Sequence, residues 1–101
     1  MAKVAVVATL KAKEGQRDAL AKAIESTIGA ADSEPGTIFY IAHTLEAEPD
    51  TLVFYELYES EEALKAHGSG EVVKAIGKVA GEFVGGRAEL QILTPFAGKG
   101  L

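Results

Sequence analysis

The sequence contains no cysteine among its 101 residues. A disulfide scaffold, a cysteine-ligated metal site and thiolate chemistry are therefore all excluded. An excess of positive charge is also missing, because ten Lys and Arg stand against 15 Asp and Glu, which gives a net charge of −5. Proteins that capture phosphate backbones mass their positive charge, and here it is scattered. Nucleic acid is therefore not an expected partner.

Long hydrophobic runs are absent as well. No apolar stretch approaches the roughly 20 residues that a membrane-spanning helix needs. The first ten residues, MAKVAVVATL, have a lysine and a short apolar run as signal peptides do. However, Lys11, Lys13 and Glu14 end the run early, and no clear cleavage site follows it. We interpret this segment as a strand and predict a soluble, cytoplasmic protein without a membrane partner.

Hydrophobic residues are abundant instead, at 48% of the chain. This is rich for one small domain, so part of the apolar surface is expected in an oligomer interface or a cavity. The length predicts a single domain over residues 1–101. Residues 95–101, which include two glycines, are expected to form a loose tail.

Hydrophobic periodicity predicts four strands and three helices. The strands are expected over residues 4–10, 37–45, 51–59 and 88–94. Helices are expected from Gln16, after the capping residue Ser60 and from about Glu71. The order β-α-β-β-α-α-β predicts an α+β fold, a ferredoxin-like split βαβ sandwich. In this fold, a four-stranded antiparallel sheet carries its helices on one face.

The predicted strands are apolar on both faces. Residues 4–10, 38–42 and 52–55 are apolar at odd and even positions alike. A sheet with one solvated face alternates apolar and polar residues, so the face without helices is expected to be covered. A second copy of the chain, packed sheet to sheet as a two-fold homodimer, is the economical cover. Two such sheets can also enclose a cavity lined by aromatic residues.

Three short segments carry a family resemblance. They are SEPGT at 33–37 with Tyr40 following, FYELY at 54–58 leading into SEEAL at 60–64, and Ala66-His67. Together they resemble the antibiotic biosynthesis monooxygenase (ABM) domain family over residues 3–94, which we take as the predicted core. The resemblance implies a dimeric α+β barrel with a ferredoxin-like protomer. It also implies an oxygenase of phenols, quinols or polyketide-type aromatics that uses neither metal nor flavin as a cofactor.

The haem-degrading branch of the same family fits poorly. The resemblance would require an asparagine on the first strand, a tryptophan at the position of His67 and an iron-ligating histidine about ten residues later. The chain contains no asparagine and no tryptophan, and Gly77 stands near the position of the ligand. The sequence therefore argues against haem degradation.

Glu56 is the most unusual residue of the third predicted strand. It shares a face with Leu52, Phe54 and Tyr58, where a charge is out of place. If that face lines a cavity, burial raises the pKa of the carboxyl unless a partner offsets it, and His67 is the nearest candidate in sequence. The alternative is that Glu56 lies near a strand edge, reaches water or pairs with a lysine, and helps hold the dimer together.

His67 also has two interpretations. It precedes Gly68, so it can cap the last turn of a helix by bonding free carbonyls. Alternatively, its imidazole, oriented by Glu56, takes a proton from a phenolic hydroxyl. His43 lies on the face opposite Tyr40 and is expected at the rim or on the helix side.

The predicted function follows from these residues and the resemblance. His67 and Glu56 are the candidate catalytic residues, and Tyr40, Phe54 and Tyr58 are the candidate substrate-binding residues. The protein is predicted to oxidise a small planar phenol, hydroquinone or polyketide-type aromatic with O2. A non-redox isomerase or a small-molecule binding protein that uses the same apolar pocket is the alternative.

Overall fold

The structure, a computed structural model, describes residues 2–101. Its elements are β1 (Val4–Lys11), α1 (Arg17–Ile28), β2 (Thr37–Thr44), β3 (Thr51–Tyr58), α2 (Glu61–Gly68), α3 (Glu71–Ala80) and β4 (Glu89–Leu93). Short 3-10 turns, Gly29–Ser33 and Gly81–Phe83, follow α1 and α3. The predicted α+β fold and its order of elements are confirmed. Within residues 2–101, no helix combines the length and the apolar character needed to cross a bilayer.

The four strands form one antiparallel sheet in the order β2-β3-β1-β4. The register places Val6 beside Glu56 on one side and beside Ile92 on the other, and Glu56 in turn lies beside Tyr40. We call these four residues, which cross the whole sheet, the Glu56 row. Their side chains share one face of the sheet because neighbouring residues of paired strands point the same way.

The helices cover the face that carries the Glu56 row. Leu20 and Ile24 of α1 are fully buried and pack with Leu52 and Phe54 of β3 and with Ala8 of β1. The three-and-four spacing of apolar residues along α1 makes this possible, since it places them on one stripe of the helix. Burying each large aliphatic side chain contributes about 1.5–3 kcal/mol, so this contact anchors the helices to the sheet.

Helix α2 is fixed at its start and packed against the turn before β2. The Ser60 hydroxyl accepts a hydrogen bond from the Ala63 N–H at 3.2 Å, which confirms the predicted cap. Ala63 also lies so close to Gly36 that a Cβ on that glycine would be 2.5 Å from the Ala63 side chain. The absence of a side chain at Gly36 therefore lets α2 rest on the segment that contains Glu34.

The face without helices is apolar and largely open. Ile41, Tyr55 and Leu93 are between 41% and 48% exposed on this outer face. The rings of Phe39 and Tyr55 lie 5.2 Å apart on it. Apolar surface concentrated in this way marks an interaction site more often than a solvated face. This exposed apolar surface favours the predicted packing of a second copy against it, which stays a prediction.

Candidate functional site

A cavity of about 570 Å³ lies between the sheet and helices α2 and α3. Nearly all of its lining is aliphatic or aromatic, and the side chains that bring polar atoms are Tyr40, Glu56 and His67. Two of them belong to the Glu56 row, and His67 comes from α2. The cavity is thus inside one protomer, on the helix side of the sheet, and is not the space between two sheets that the sequence had offered as a further possibility. Its polar groups are gathered at one end.

Glu56 is buried, with 5% of its surface exposed, and it lines this cavity. Its Oε1 accepts a hydrogen bond from the Tyr58 hydroxyl at 2.5 Å. Burial raises the pKa of the Glu56 carboxyl above its ordinary value of 4.5, and the Tyr58 hydrogen bond and the nearby His67 oppose that rise. Of the two interpretations of Glu56, the geometry therefore fits the cavity position and not the strand edge, and its hydrogen-bond partner is Tyr58 and not His67.

His67 is equally buried, and its Nδ1 lies 2.8 Å from Oε1 of Glu34. The same carboxylate oxygen accepts a hydrogen bond from the Thr37 hydroxyl at 2.8 Å. The imidazole therefore bonds a carboxylate 33 residues away and not the carbonyls at the end of α2. The capping interpretation is wrong for this nitrogen. Glu34, not Glu56, orients the ring, because α2 rests on the turn that carries it.

The Glu34 contact decides which ring nitrogen of His67 is available. A carboxylate accepts hydrogen bonds, so Nδ1 carries the proton in this pair. In the neutral ring, Nε2 is then the acceptor. Since His67 also lines the cavity, its unshared nitrogen can meet a ligand there. An acid that fixes a histidine tautomer in this way is typical of general-base sites.

Tyr40 lies beside His67 at the polar end of the cavity. Its ring centroid is 4.6 Å from that of His67 and 5.4 Å from that of Phe54. Burial, reinforced by the negative charges of Glu56 and Glu34, raises the pKa of the Tyr40 hydroxyl well above its ordinary value of 10.0. The hydroxyl therefore stays protonated and is a hydrogen-bond donor.

The two other candidate binding residues lie at different depths. Phe54 lines the cavity, as predicted for an aromatic wall. Tyr58 is fully buried behind it, with its ring 5.3 Å from that of His67. Burial and the hydrogen bond to Glu56 raise the pKa of the Tyr58 hydroxyl. Its role in the structure is to hold Glu56, and it does not form part of the cavity wall.

The two histidines are separated by the sheet. His43 is exposed on the outer face, opposite Tyr40 as predicted, and its Nδ1 lies 2.9 Å from the Val53 carbonyl oxygen. Of its two expected places, the rim and the helix side, only the helix side is excluded, because odd-numbered residues of β2 from Phe39 onward point away from the helices. In the described part of the chain, no three His, Asp or Glu side chains gather as metal ligands.

Sequence reasoning missed two parts of the site. Glu34 belongs to the SEPGT segment, but its contact with His67 crosses too many residues to be read from spacing. Three glycines, Gly68, Gly77 and Gly81, also line the cavity, and none has an atom within 4 Å of the position of a Cβ. The cavity is wide at these positions because no side chain fills it.

Known proteins place this chain in a family. No curated protein matches the sequence significantly. Among solved structures, a protein of unknown function from Nitrosomonas europaea, NE2512, is 27% identical with a TM-score of 0.86, and the match covers 98% of this chain and 94% of that one. A candidate antibiotic biosynthesis monooxygenase from Caulobacter crescentus is 28% identical with a TM-score of 0.86, over 95% and 92% of the two chains.

A second protein of the latter description, from Chloroflexus aurantiacus, is 26% identical with a TM-score of 0.79, over 97% of each chain. The sequence profile of the family described as antibiotic biosynthesis monooxygenase matches residues 3–79. That range includes Glu34, Tyr40, Glu56 and His67, and so every polar side chain named above. The chain belongs to the antibiotic biosynthesis monooxygenase family.

Proposed function

We propose that this protein is a monooxygenase that oxidises a small phenol or hydroquinone with O2, without a bound metal or flavin. One observation carries the proposal: a largely apolar cavity has all its polar side chains at one end, and one of them is a histidine held by a carboxylate. Such a cavity suits a flat aromatic molecule with a hydroxyl at one end. Membership of the family supports a monooxygenase-like role.

His67 is the base in this proposal, and Glu34 is its positioning residue. The Nε2 atom of the neutral ring takes the proton from the substrate hydroxyl while the Nδ1 proton stays on the bond to Glu34. The ring becomes an imidazolium beside a carboxylate, which stabilises the new positive charge. The substrate becomes a phenolate, which is far more easily oxidised than the phenol.

The phenolate then supplies all the electrons that O2 accepts. One electron passes from the ring to O2, and the resulting radical pair joins to give a peroxide at a ring carbon. The peroxide takes back the proton held by His67, and loss of water together with the hydrogen of that ring carbon leaves a carbonyl, so a phenol plus O2 gives a quinone plus water. One oxygen atom enters the product and the other leaves in the water molecule. No outside reductant is required.

Tyr40 and Glu56 hold the oxygen atoms of the substrate in this scheme. The Tyr40 hydroxyl is a donor that its raised pKa keeps protonated, and it can bond the phenolate oxygen. The Glu56 carboxyl shares the cavity, and one of its oxygens can accept a hydrogen bond from a second hydroxyl of the substrate. Donors placed where negative charge develops stabilise the transition state more than the ground state.

The test is aerobic turnover of hydroquinone by protein freed of metal by chelation. We expect His67→Ala to lower kcat about a hundredfold or more, as the loss of a general base does. His43→Ala is the matched control, since it removes the other histidine from the exposed outer face. Turnover at the wild-type rate by His67→Ala would show that His67 is not the base.

An isomerase that shuttles a proton on a carbonyl compound is the second candidate. A specific observation favours it, because His67, whose Nε2 is the acceptor in the neutral ring, and the buried Glu56 carboxyl line the same cavity. Such a pair can remove a proton at one atom and return one at another. Turnover that is unchanged when oxygen is excluded would favour this candidate over the oxidation.

We also propose that the protein is a homodimer joined through the outer face of the sheet. Phe39, Ile41, Tyr55 and Leu93 form an apolar surface there without a covering helix. A two-fold pairing buries the same patch on both copies and needs no additional partner. The cavity lies on the opposite face, so this pairing leaves its polar end untouched.

A further inference from the structure

Two glycines on one side of the cavity have no structural reason to be glycine. Gly77 is within α3, and Gly81 follows its last residue with helical angles, φ −53° and ψ −38°. Among the described residues, positive φ angles occur only at Gly15, Gly98 and Gly100. Neither Gly77 nor Gly81 has an atom within 4 Å of the position of a Cβ. Backbone conformation and close packing, the usual demands for glycine, are thus both absent.

The two glycines lie at different distances from the polar end of the cavity. Helix α3 begins just after α2, which carries His67. The 3-10 turn that follows it reaches the far end of β1, where the Phe83 carbonyl accepts from the Lys13 N–H at 2.8 Å and the Gly85 N–H donates to the Lys11 carbonyl at 2.7 Å. The helix therefore runs away from the Glu56 row. Gly81 is four residues beyond Gly77, about 6 Å further along the helix.

The sheet sets the length of the cavity along the same direction. Val6 and Leu10 of β1 both line it. Val6 is in the Glu56 row, and the four-residue separation corresponds to about 13 Å along the strand. An engineered cavity of about 150 Å³ holds one benzene molecule. The 570 Å³ present here is nearly four times as large, so a single ring at the polar end leaves most of it empty.

We infer that Gly77 and Gly81 determine specificity by setting the length of the apolar body that the cavity accepts behind the hydroxyl of its substrate. This inference rests on the proposed function for the placement of the hydroxyl beside Tyr40, Glu56 and His67. The apolar body then passes Gly77 first and reaches Gly81 only when it is longer. A side chain at either glycine shortens the cavity from a different point.

The test is binding of phenol and 4-alkylphenols of increasing chain length, measured by calorimetry under nitrogen. In the wild-type protein, each added methylene is expected to raise affinity by about fourfold until the far wall is reached. Gly81→Leu is expected to weaken only the longest members of the series, by about tenfold. Gly77→Leu is expected to weaken the intermediate members as well, and neither variant is expected to weaken phenol itself.

Gly29→Leu is the matched control. Like Gly81, Gly29 follows the last residue of a helix with helical angles, φ −60° and ψ −20°. It also has no atom within 4 Å of the position of a Cβ, but it does not line the cavity. Gly29→Leu should leave the affinities for phenol and all the 4-alkylphenols unchanged. Thermal unfolding reports whether each variant folds. Gly77→Ala provides a smaller change at the same position and should move the limit by a shorter length.

Equal weakening of phenol and every alkylphenol by the two cavity variants would overturn the inference, and so would no weakening at all. Because binding is measured without oxygen, the result is independent of turnover. A protein that shows the two length limits but consumes no O2 with any bound phenol would contradict the proposed oxidation and keep the inference. A protein that turns over hydroquinone but shows no such length limits would contradict the inference and keep the proposed oxidation.

Discussion

Nδ1 of His67 lies 2.8 Å from Oε1 of Glu34, although 33 residues separate the two in the chain. The contact joins α2 to the turn before β2, and the Thr37 hydroxyl completes it with a second bond to the same oxygen. A carboxylate that accepts two hydrogen bonds in a half-buried place has a fixed orientation. The imidazole it holds is then fixed as well.

Replacing Glu34 by glutamine should lower turnover without removing the substrate site. In Glu34→Gln the imidazolium loses its neighbouring negative charge, so we expect kcat for hydroquinone to fall at least about tenfold while KM changes little. The rate should also be recorded against pH. A change in the base shifts the pH at which kcat rises, whereas a loss of folded protein lowers kcat by the same factor at every pH. Glu46→Gln, on an exposed loop residue, is the control. An unchanged pH profile and rate would show that Glu34 does not position the base.

Glu56→Gln should stabilise the protein at neutral and alkaline pH. The raised pKa of Glu56 means that the folded protein binds this proton more tightly than the unfolded chain, whose pKa is near 4.5. The stabilisation that this bound proton gives to the folded protein is fully present below pH 4.5. It is lost as the pH rises through the pKa of Glu56 in the folded protein. Glutamine has no charge to bury, so at pH 8 we expect Glu56→Gln to have a higher free energy of unfolding than the wild type.

Urea unfolding of both proteins from pH 4 to pH 8 is the measurement. The difference between them should grow with pH, and Glu59→Gln, at an exposed position on the same segment, should show no such growth. A wild-type protein that gains stability relative to Glu56→Gln as the pH rises would mean that the folded carboxyl is held in its charged form.

Gly77→Ala should make the protein more stable. A glycine within a helix costs about 0.5–1 kcal/mol relative to alanine, and a methyl group at this position meets open space. We expect a gain of that size in chemical unfolding. Gly15→Ala is the contrasting control, because Gly15 has a φ of +73° and the substitution there should destabilise. A loss of stability in Gly77→Ala would show that the empty space is not available to a side chain.

Tyr55→Lys should disrupt the proposed homodimer. Tyr55 is 42% exposed in the middle of the outer face, and two lysines brought together by a two-fold pairing repel each other and lose hydration. Sedimentation velocity should show a monomer for this variant and a dimer for the wild type. Ala30→Lys adds the same charge to an exposed site outside the sheet and should leave the dimer intact. A monomeric wild-type protein would remove the proposal.

The sequence predicted the elements of the fold well because their periodicities are local. The alternation along β3 placed Glu56 with Phe54 and Tyr58, and the Ser60 cap located the start of α2. Neither observation says which face the helices cover, because both faces of the strands are apolar. For that reason, the cavity could not be placed on the helix side from the sequence, and the helix side stayed open as one of two expected places for His43.

The hydrogen-bond partners of the site residues were harder to predict than the site residues themselves. Glu56 and His67 were identified as chemically unusual, and both are buried at the cavity. Their hydrogen bonds go to Tyr58 and Glu34. The first contact crosses one residue of a strand, and the second depends on how α2 packs on the Gly36 turn. That packing is a tertiary contact for which the local sequence carries no signal.

The alternation along β3 also makes the strand sensitive to insertion and deletion. Glu56 faces the cavity, and its neighbours Tyr55 and Leu57 face the other way. A one-residue shift of this strand relative to β1 and β2 would turn the carboxyl toward the open apolar surface and bring a hydrophobic side chain to the polar end. Loss or gain of a single codon in β3 is therefore expected to abolish chemistry and assembly together, whereas point substitutions can affect them separately.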